Sequence, residues 1–405
     1  YEWSRDGAQI AFTPADPESK AQKARLEKYA AFEQVKRDYV HSHLYTIDIA
    51  AALAAPQAGR KRTSGTDFTV GGFDWAPDGR HIAFSATVNP DLVQGATADI
   101  YVVALVADTA ATDAVTKVVS QPGPDNGPTY SPDGSTLAFS SAMGQANYFA
   151  RNSRIAIVAA AGGTPRSLTD AFDENPSIVD WTAAGIWFSA AQKTASHLFR
   201  LDPATAAITR VSGPDAAMVG GVSLTTDGRT AAFSLASPTG LPELHVSSID
   251  AWAPRRLTTI SEQLAGWTRA SREVISWKSK DGAVIEGILM KPAGFDPSRK
   301  YPLLCVIHGG PTGTDRPALP DRSPYPVDMW AARGALILKV NYRGSAGYGE
   351  KFRMLNIRNL GVGDAWDVLS GVDALIAKGM ADPERVGAMG WSQGGYISAF
   401  LTTHD

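Results

Sequence analysis

Cysteine is nearly absent from this sequence: Cys305 is the single thiol in 405 residues. No intrachain disulfide can form, and a zinc site built from several thiolates is excluded. That fits a reducing compartment, and equally a large exported protein that needs no covalent staples. The seven histidines contain no His-Glu-x-x-His arrangement, which argues against metallopeptidase chemistry. There is no Walker A sequence, and the glycines between Gly344 and Gly349 do not fit the dinucleotide fingerprint. No metal and no cofactor is therefore expected. Neither sign of charge predominates: 38 Lys and Arg face 41 Asp and Glu, a net charge of −3. Whole-chain electrostatics gives no reason to expect nucleic acid or an anionic membrane as partner. No apolar run approaches the roughly 18 residues of a membrane helix, so no membrane insertion is expected. The chain begins at Tyr1 rather than Met, so a signal peptide could precede it. The location is thus cytoplasmic or, with such a leader, periplasmic. A homo-oligomer is compatible with the sequence, which does not fix the oligomeric state.

What is present is ordinary globular material, 44% hydrophobic and 20% charged. At roughly 150 residues per domain, the length suggests two or three domains. The N-terminal part repeats itself. An aromatic or large residue, a short turn ending in glycine and an apolar triplet ending in phenylalanine recur five times. The anchors are Trp3, Trp75, Tyr130, Trp181 and Leu224, the glycines Gly7, Gly79, Gly134, Gly185 and Gly228. The triplets end at Phe12, Phe84, Phe139, Phe188 and Phe233. Asp precedes the glycine in every copy but the fourth, and Pro precedes Asp in the second and third. Such residues make tight turns, Pro by fixing φ and Gly by supplying φ > 0. A further strand-like run follows each copy, near Leu44, Ile100, Ile155, Leu198 and Leu244. Each unit thus holds about four short strands, and units recur roughly every 40 to 70 residues, as in a β-propeller with insertions in its early blades. A β-sandwich with similar turns is the alternative. The charged insertion between Pro14 and Tyr39 is expected to be a helix with a modest apolar face of Leu26, Tyr29, Ala30 and Phe32. It reads as a solvated helix over the propeller, with substrate gating as the alternative.

The pattern changes near Ser271. Two strands are expected around Glu273 to Trp277 and Val284 to Met290, joined by a turn at Gly282. Continuous apolar runs at 302–307 and 335–340 read as buried parallel strands. Helical spacing from Asp364 to Lys378 and a short strand at 385–389 complete an α/β pattern. The expected domains are therefore 1–270, all β and incomplete at its N-terminus, and 271–405, an α/β domain with a mostly parallel sheet.

Gly390, Trp391, Ser392, Gln393 and Gly394 fit G-x-S-x-G, between an apolar strand and a helix-compatible run. That context is what a nucleophile elbow needs, because small residues must flank so tight a turn and the helix N-terminus favours developing negative charge. Ser392 is the candidate nucleophile. His308, Gly309, Gly310 and Pro311 directly follow an apolar strand. Such a loop supplies one oxyanion donor and the residue after the nucleophile the other. The donors are assigned to Gln393 N–H and Gly310 N–H, with Gly309 as the alternative to Gly310. His308 is read as a structural loop histidine, since in this fold the base follows the serine in the chain. His41 and His43 share a strand face, lack a third ligand and read as surface residues.

With these motifs, with Asn341 to Ser345 and with the Gly347, Tyr348, Gly349 turn, the chain resembles the prolyl oligopeptidase family of serine peptidases, most of all its bacterial acylaminoacyl-peptidase-like members. The resemblance implies a β-propeller of seven or eight blades, of which five repeats are visible here, followed by an α/β-hydrolase domain at 271–405 that ends just after the elbow. It implies hydrolysis of short peptides, with the propeller filtering substrates by size. It also implies a catalytic Asp and His well downstream of the serine. Only 13 residues follow Ser392 in a chain of 405, so those two partners are expected outside this sequence, which reads as a piece of a longer enzyme. His404 and Asp405, on the helix after the elbow, are not cast in those roles. Arg343 and Tyr348 are candidates for contacting substrate, Arg343 with a loop-bracing ion pair as the alternative. Dipeptidyl peptidases of the family hold the substrate amine with adjacent glutamates in the propeller; no Glu-Glu pair occurs here, which counts against that activity. The expected function is peptide hydrolysis through an acyl-enzyme. An esterase on the same fold, or a non-catalytic propeller module, are the rival readings.

Overall fold

A computed structural model describes residues 1–30, 39–107, 113–321 and 323–404. The first two thirds of the chain form five successive four-stranded antiparallel meanders. The second is representative. Its strands Thr69–Trp75, His81–Thr87, Asp99–Ala104 and Ala114–Val119 pair in chain order. A single parallel bridge, Ser196 to Met218, joins the fourth meander to the fifth. The sheets stack face to face. Ala83 and Ile100 of the second pack with Leu137 and Phe139 of the third, and Ala138 and Ile155 of the third pack with Ile186 and Phe188 of the fourth. This is blade-like packing; no closed ring is present among the described residues.

Two side-chain devices recur from blade to blade. At the turns, the aspartate before glycine accepts from the preceding hydroxyl: Ser4 Oγ reaches Asp6 at 2.7 Å, Ser131 Oγ reaches Asp133 at 2.6 Å and Thr225 Oγ1 reaches Asp227 at 2.6 Å. This is the local carboxylate-to-turn bonding that favours Asp in such loops. At the outer edge, a hydroxyl accepts from a backbone N–H of the third strand or its approach. Thr63, Thr169, Ser212 and Thr258 receive Leu44, Ile155, Leu198 and Leu244, each at 2.9 Å.

The inserted helix, Lys20–Tyr29, begins with a capping box of Ser19 and Gln22. It has no buried residue, so its expected apolar face is solvated; Phe32 lies outside the described residues. The two strand histidines correct the sequence reading. His41 and His43 are both buried. His43 bonds Thr63 Oγ1 at 3.2 Å and the Gly65 carbonyl at 3.0 Å, and His41 bonds the Phe68 carbonyl at 3.1 Å. Backbone carbonyls and a threonine satisfy these rings, which removes the need for water.

The remaining chain builds a five-stranded mixed sheet. Its order is Ser271–Lys278, Val284–Lys291, Leu336–Asn341, Tyr301–Ile307 and Ala381–Gly390. The first two pairings are antiparallel and the last two parallel. Leu303, Cys305, Ile307, Leu336, Leu338 and Val340 form its core, covered by Val368 and Leu375 of the helix Gly363–Ala377 and Ile397 of the helix Gln393–His404. The two central strands read as continuous apolar runs because both of their faces are covered. Trp277 fills the gap over Gly371 and donates its indole N–H to the Asp367 carbonyl at 2.9 Å.

Candidate active site

Parallel pairing places the ends of Tyr301–Ile307 and Ala381–Gly390 side by side, with Ile307 opposite Gly390. The chain leaving the first strand is the His308 to Pro311 loop, and the chain leaving the second is the elbow. Ser392 sits between that strand and the helix Gln393–His404 with φ of +54°. A non-glycine residue held in this region carries local strain, of a kind concentrated at functional sites. The turn survives because its neighbours have no side chains. A β-carbon on Gly390 would meet the Gly394 backbone, and one on Gly394 would meet the Ile307 carbonyl. Ser392 is solvent-exposed, and Trp391 beside it is 68% exposed.

The glycine loop lies directly against this turn. A β-carbon on Gly309 would stand 2.8 Å from the Trp391 carbonyl oxygen and 3.1 Å from Ser392 Cβ. Gly310 has φ of +136°, and a β-carbon there would strike the Thr312 and Gly313 amides. Neither the Gly310 nor the Gln393 N–H is bonded to a protein acceptor among the described residues. The Gln393 side chain is held away, donating to Asp364 Oδ2 at 3.0 Å. Burial raises the Asp364 carboxyl, while that amide and the Gly361 and Ala365 N–H groups oppose the rise.

His308 is half-buried and stacked on Tyr342, with ring centroids 4.5 Å apart. Its Nε2 lies 3.0 Å from Ser345 Oγ and its Nδ1 2.9 Å from the Gly309 carbonyl. Desolvation holds its imidazole below the ordinary value. These contacts make it a brace of the loop. Behind it, Lys339 is buried between Asp315 at 2.8 Å and Asp321 at 2.7 Å, fixing the continuation of the same loop. At the far end of the elbow helix, His404 stacks on Phe400 with centroids 3.8 Å apart, remote from the turn.

Arg343 corrects the substrate-contact reading. It is 2% exposed, with all its nitrogens engaged inside the protein. Nε and Nη2 hold the buried Asp367 at 3.0 and 2.7 Å, Nη1 and Nη2 hold Asp281 at 2.8 and 3.0 Å, and Nη2 also reaches Ser279 at 3.2 Å. The loop-bracing ion pair is the alternative that the structure adopts, with each guanidinium nitrogen bonded inside the protein. Tyr348 is likewise directed inward: its hydroxyl accepts from Asn341 Nδ2 at 3.1 Å, and burial beside Glu286 raises it. Sequence reasoning overlooked Glu174, a buried blade carboxylate that meets the 347–353 segment of the hydrolase sheet domain. No local pattern marks it, because its partners in that segment stand more than 170 residues away.

The fold is thus a series of four-stranded antiparallel sheets followed by a mixed α/β sheet, with Ser392 exposed in a tight strand-to-helix turn. Residues 322–405 match the prolyl oligopeptidase family. Dipeptidyl-peptidase 5 of Porphyromonas gingivalis is 24% identical over 350 residues, 82% of this chain and 48% of that protein. Acylamino-acid-releasing enzyme 1 of Oryza sativa subsp. japonica is 39% identical over 107 residues, 26% of this chain and 13% of that one. Among solved structures, the uncomplexed Pyrococcus horikoshii acylaminoacyl peptidase superposes on all of this chain with a TM-score of 0.76. The likeness covers 60% of that chain at 19% identity. The family match thus lies in the C-terminal residues 322–405, and the chain spans about half the length of the dipeptidyl-peptidase 5 that it matches.

Proposed function

We propose that the protein carrying this chain is a serine peptidase that hydrolyses short peptides through an acyl-enzyme, in the manner of the acylaminoacyl peptidases. The observation that carries this reading is the contact between two backbones: Ser392 in its left-handed turn, with the Gly309 and Gly310 loop packed against it. Ser392 Oγ attacks the scissile carbonyl and its proton passes to a general base. The carbonyl oxygen becomes an oxyanion facing the N–H groups of Gln393 and Gly310. Collapse of that intermediate breaks the C–N bond, releases the amine and leaves an acyl ester, which water then hydrolyses. Each oxyanion donor is worth roughly 3–4 kcal/mol of barrier. The helix Gln393–His404 adds the positive end of its dipole to the same spot.

In this reading the five meanders are blades of a propeller, which has seven or eight in the complete fold and limits substrates by size. An acylated substrate end is favoured over a free amine, since these five meanders carry no Glu-Glu pair to hold an ammonium group. Incubation of the full-length protein with a fluorophosphonate probe tests the chemistry. A single adduct mapped to Ser392, and its loss in Ser392→Ala together with activity on N-acetyl-aminoacyl anilides, is the expected result. Peptide hydrolysis that survives Ser392→Ala would remove the proposal.

A further inference from the structure

The geometry points to Glu174, a propeller residue, as a positioning residue for the oxyanion loop: blade docking holds the hydrolase loops in their productive arrangement. The inference rests on the serine-peptidase reading and adds to it a dependence of the chemistry on the blade. Glu174 is 4% exposed and is surrounded by donors. Its Oε1 receives Arg353 Nη2 at 2.6 Å and the Asn175 N–H at 2.9 Å. Its Oε2 receives the Gly347 N–H at 2.6 Å and the Gly349 N–H at 3.4 Å. Three of these four donors belong to the hydrolase-type domain. The neighbouring blade hairpin grips the same segment, with the Lys193 N–H donating to the Gly347 carbonyl at 2.6 Å. A charged acceptor with several N–H partners gives stronger and shorter bonds than a neutral one. The 347–349 turn is therefore fixed by the blade rather than by its own domain alone.

From that turn two short connections lead to the oxyanion loop. On one side, Ala346 accepts from Thr314 Oγ1 at 2.7 Å and donates its N–H to the Gly313 carbonyl at 3.3 Å. On the other, Tyr348 accepts from Asn341 Nδ2, and Asn341 exchanges two bonds with the Asp315 backbone, at 2.7 and 3.0 Å. Residues 313–315 continue directly from Gly309 and Gly310. Ser345, in the same turn segment, holds the ring of His308. The loop that carries the candidate donor is thus tied at three points to a segment whose outer side is anchored on Glu174. Shifts of about 1 Å in such supporting geometry cost on the order of 10²-fold in rate.

The test is Glu174→Gln in the full-length protein, with rates normalised to the fraction of serine titrated by a fluorophosphonate. The amide keeps the shape and loses the charge. The expected result is a fall in kcat of about tenfold or more, with KM within threefold. Affinity for a peptide boronate, whose tetrahedral adduct occupies the oxyanion position, falls in parallel with kcat. A merely structural role lowers the titratable fraction or the melting temperature and leaves kcat per titrated site unchanged. Thr314→Val, which cuts the clamp on Ala346 without touching the blade, is the companion variant for use if Glu174→Gln does not fold, and gives the same split. Normal kcat and boronate affinity per titrated site in either folded variant overturns the inference. Ser392→Ala, run alongside, separates this failure from failure of the serine mechanism itself.

Discussion

Gly309→Ala probes the proposed oxyanion arrangement most directly, because its effect can be worked out from the backbone. The new methyl would stand 2.8 Å from the Trp391 carbonyl oxygen, where ordinary contact begins at 3.4 Å. The loop or the elbow must give by about 0.6 Å. Gly309 does not have a positive φ, so alanine meets no torsional penalty and the effect is steric. Hydrogen bonds to an oxyanion act at about 2.7–3.1 Å, so a retreat of that size carries the neighbouring Gly310 N–H out of range. Complete loss of one donor costs roughly 10²–10³ in kcat, and a fall of about 10²-fold is expected here. KM changes little, because the bond forms in the transition state rather than with bound substrate. The assay is steady-state hydrolysis of an N-acetyl-aminoacyl anilide, normalised by fluorophosphonate titration of Ser392. Gly282→Ala serves as the comparison: φ is +87° and nothing lies within 4 Å, so it strains a turn far in sequence from the elbow. That variant should lose on the order of 1 kcal/mol of stability and no kcat. A fully titratable Gly309→Ala enzyme with kcat within twofold of wild type would refute the oxyanion assignment.

Other consequences are equally open to measurement. Arg343→Met leaves the fully buried Asp367 without its cation, which costs roughly 3–5 kcal/mol; a melting temperature within a few degrees of wild type would contradict the brace. Asp125 is buried and desolvation pushes its carboxyl up to about 6. An acid raised on folding contributes stability that is complete below its unfolded value of 3.8 and is lost as pH rises through about 6. Asp125→Asn should flatten that part of the curve, and parallel melting-temperature slopes from pH 4.5 to 7.5 in both proteins would count against it. Burial pushes the Cys305 thiol up to about 12, so it should ignore Ellman's reagent until the hydrolase sheet unfolds; rapid reaction of the native protein would show that the core is open.

The features that were legible in the sequence are those written locally. Trp75, Asp78 and Gly79, and their counterparts in the other blades, announce their hairpins because turn chemistry needs particular residues at adjacent positions. Gly390 to Gly394 announces the elbow for the same reason. Residue type alone did not reveal where long side chains would turn. Arg343 can equally point outward to a ligand or inward to carboxylates; only the fold brings Asp281 and Asp367, from a turn and a helix far apart in the chain, to its two edges. His41 and His43 read as surface residues because polarity was the only cue, whereas nearby carbonyls and a threonine make their burial acceptable. The hydroxyls that receive the third strands are spaced 14 to 19 residues from their partners. Three of the four pairs share a spacing of 14 residues, but a Ser or Thr that far from a leucine or isoleucine is too common in any sequence to mark the bond by itself.

The left-handed turn at Ser392 sets endurance against chemistry within a single residue. A side chain in that region costs roughly 1–2 kcal/mol, and glycine would hold the same turn without that cost. Ser392→Gly should therefore melt higher than the wild type while being unable to form an acyl-enzyme. A laboratory selection for heat resistance alone, blind to turnover, would count loss of the proposed nucleophile among its gains. Any programme to stabilise this protein has to screen for activity at every round.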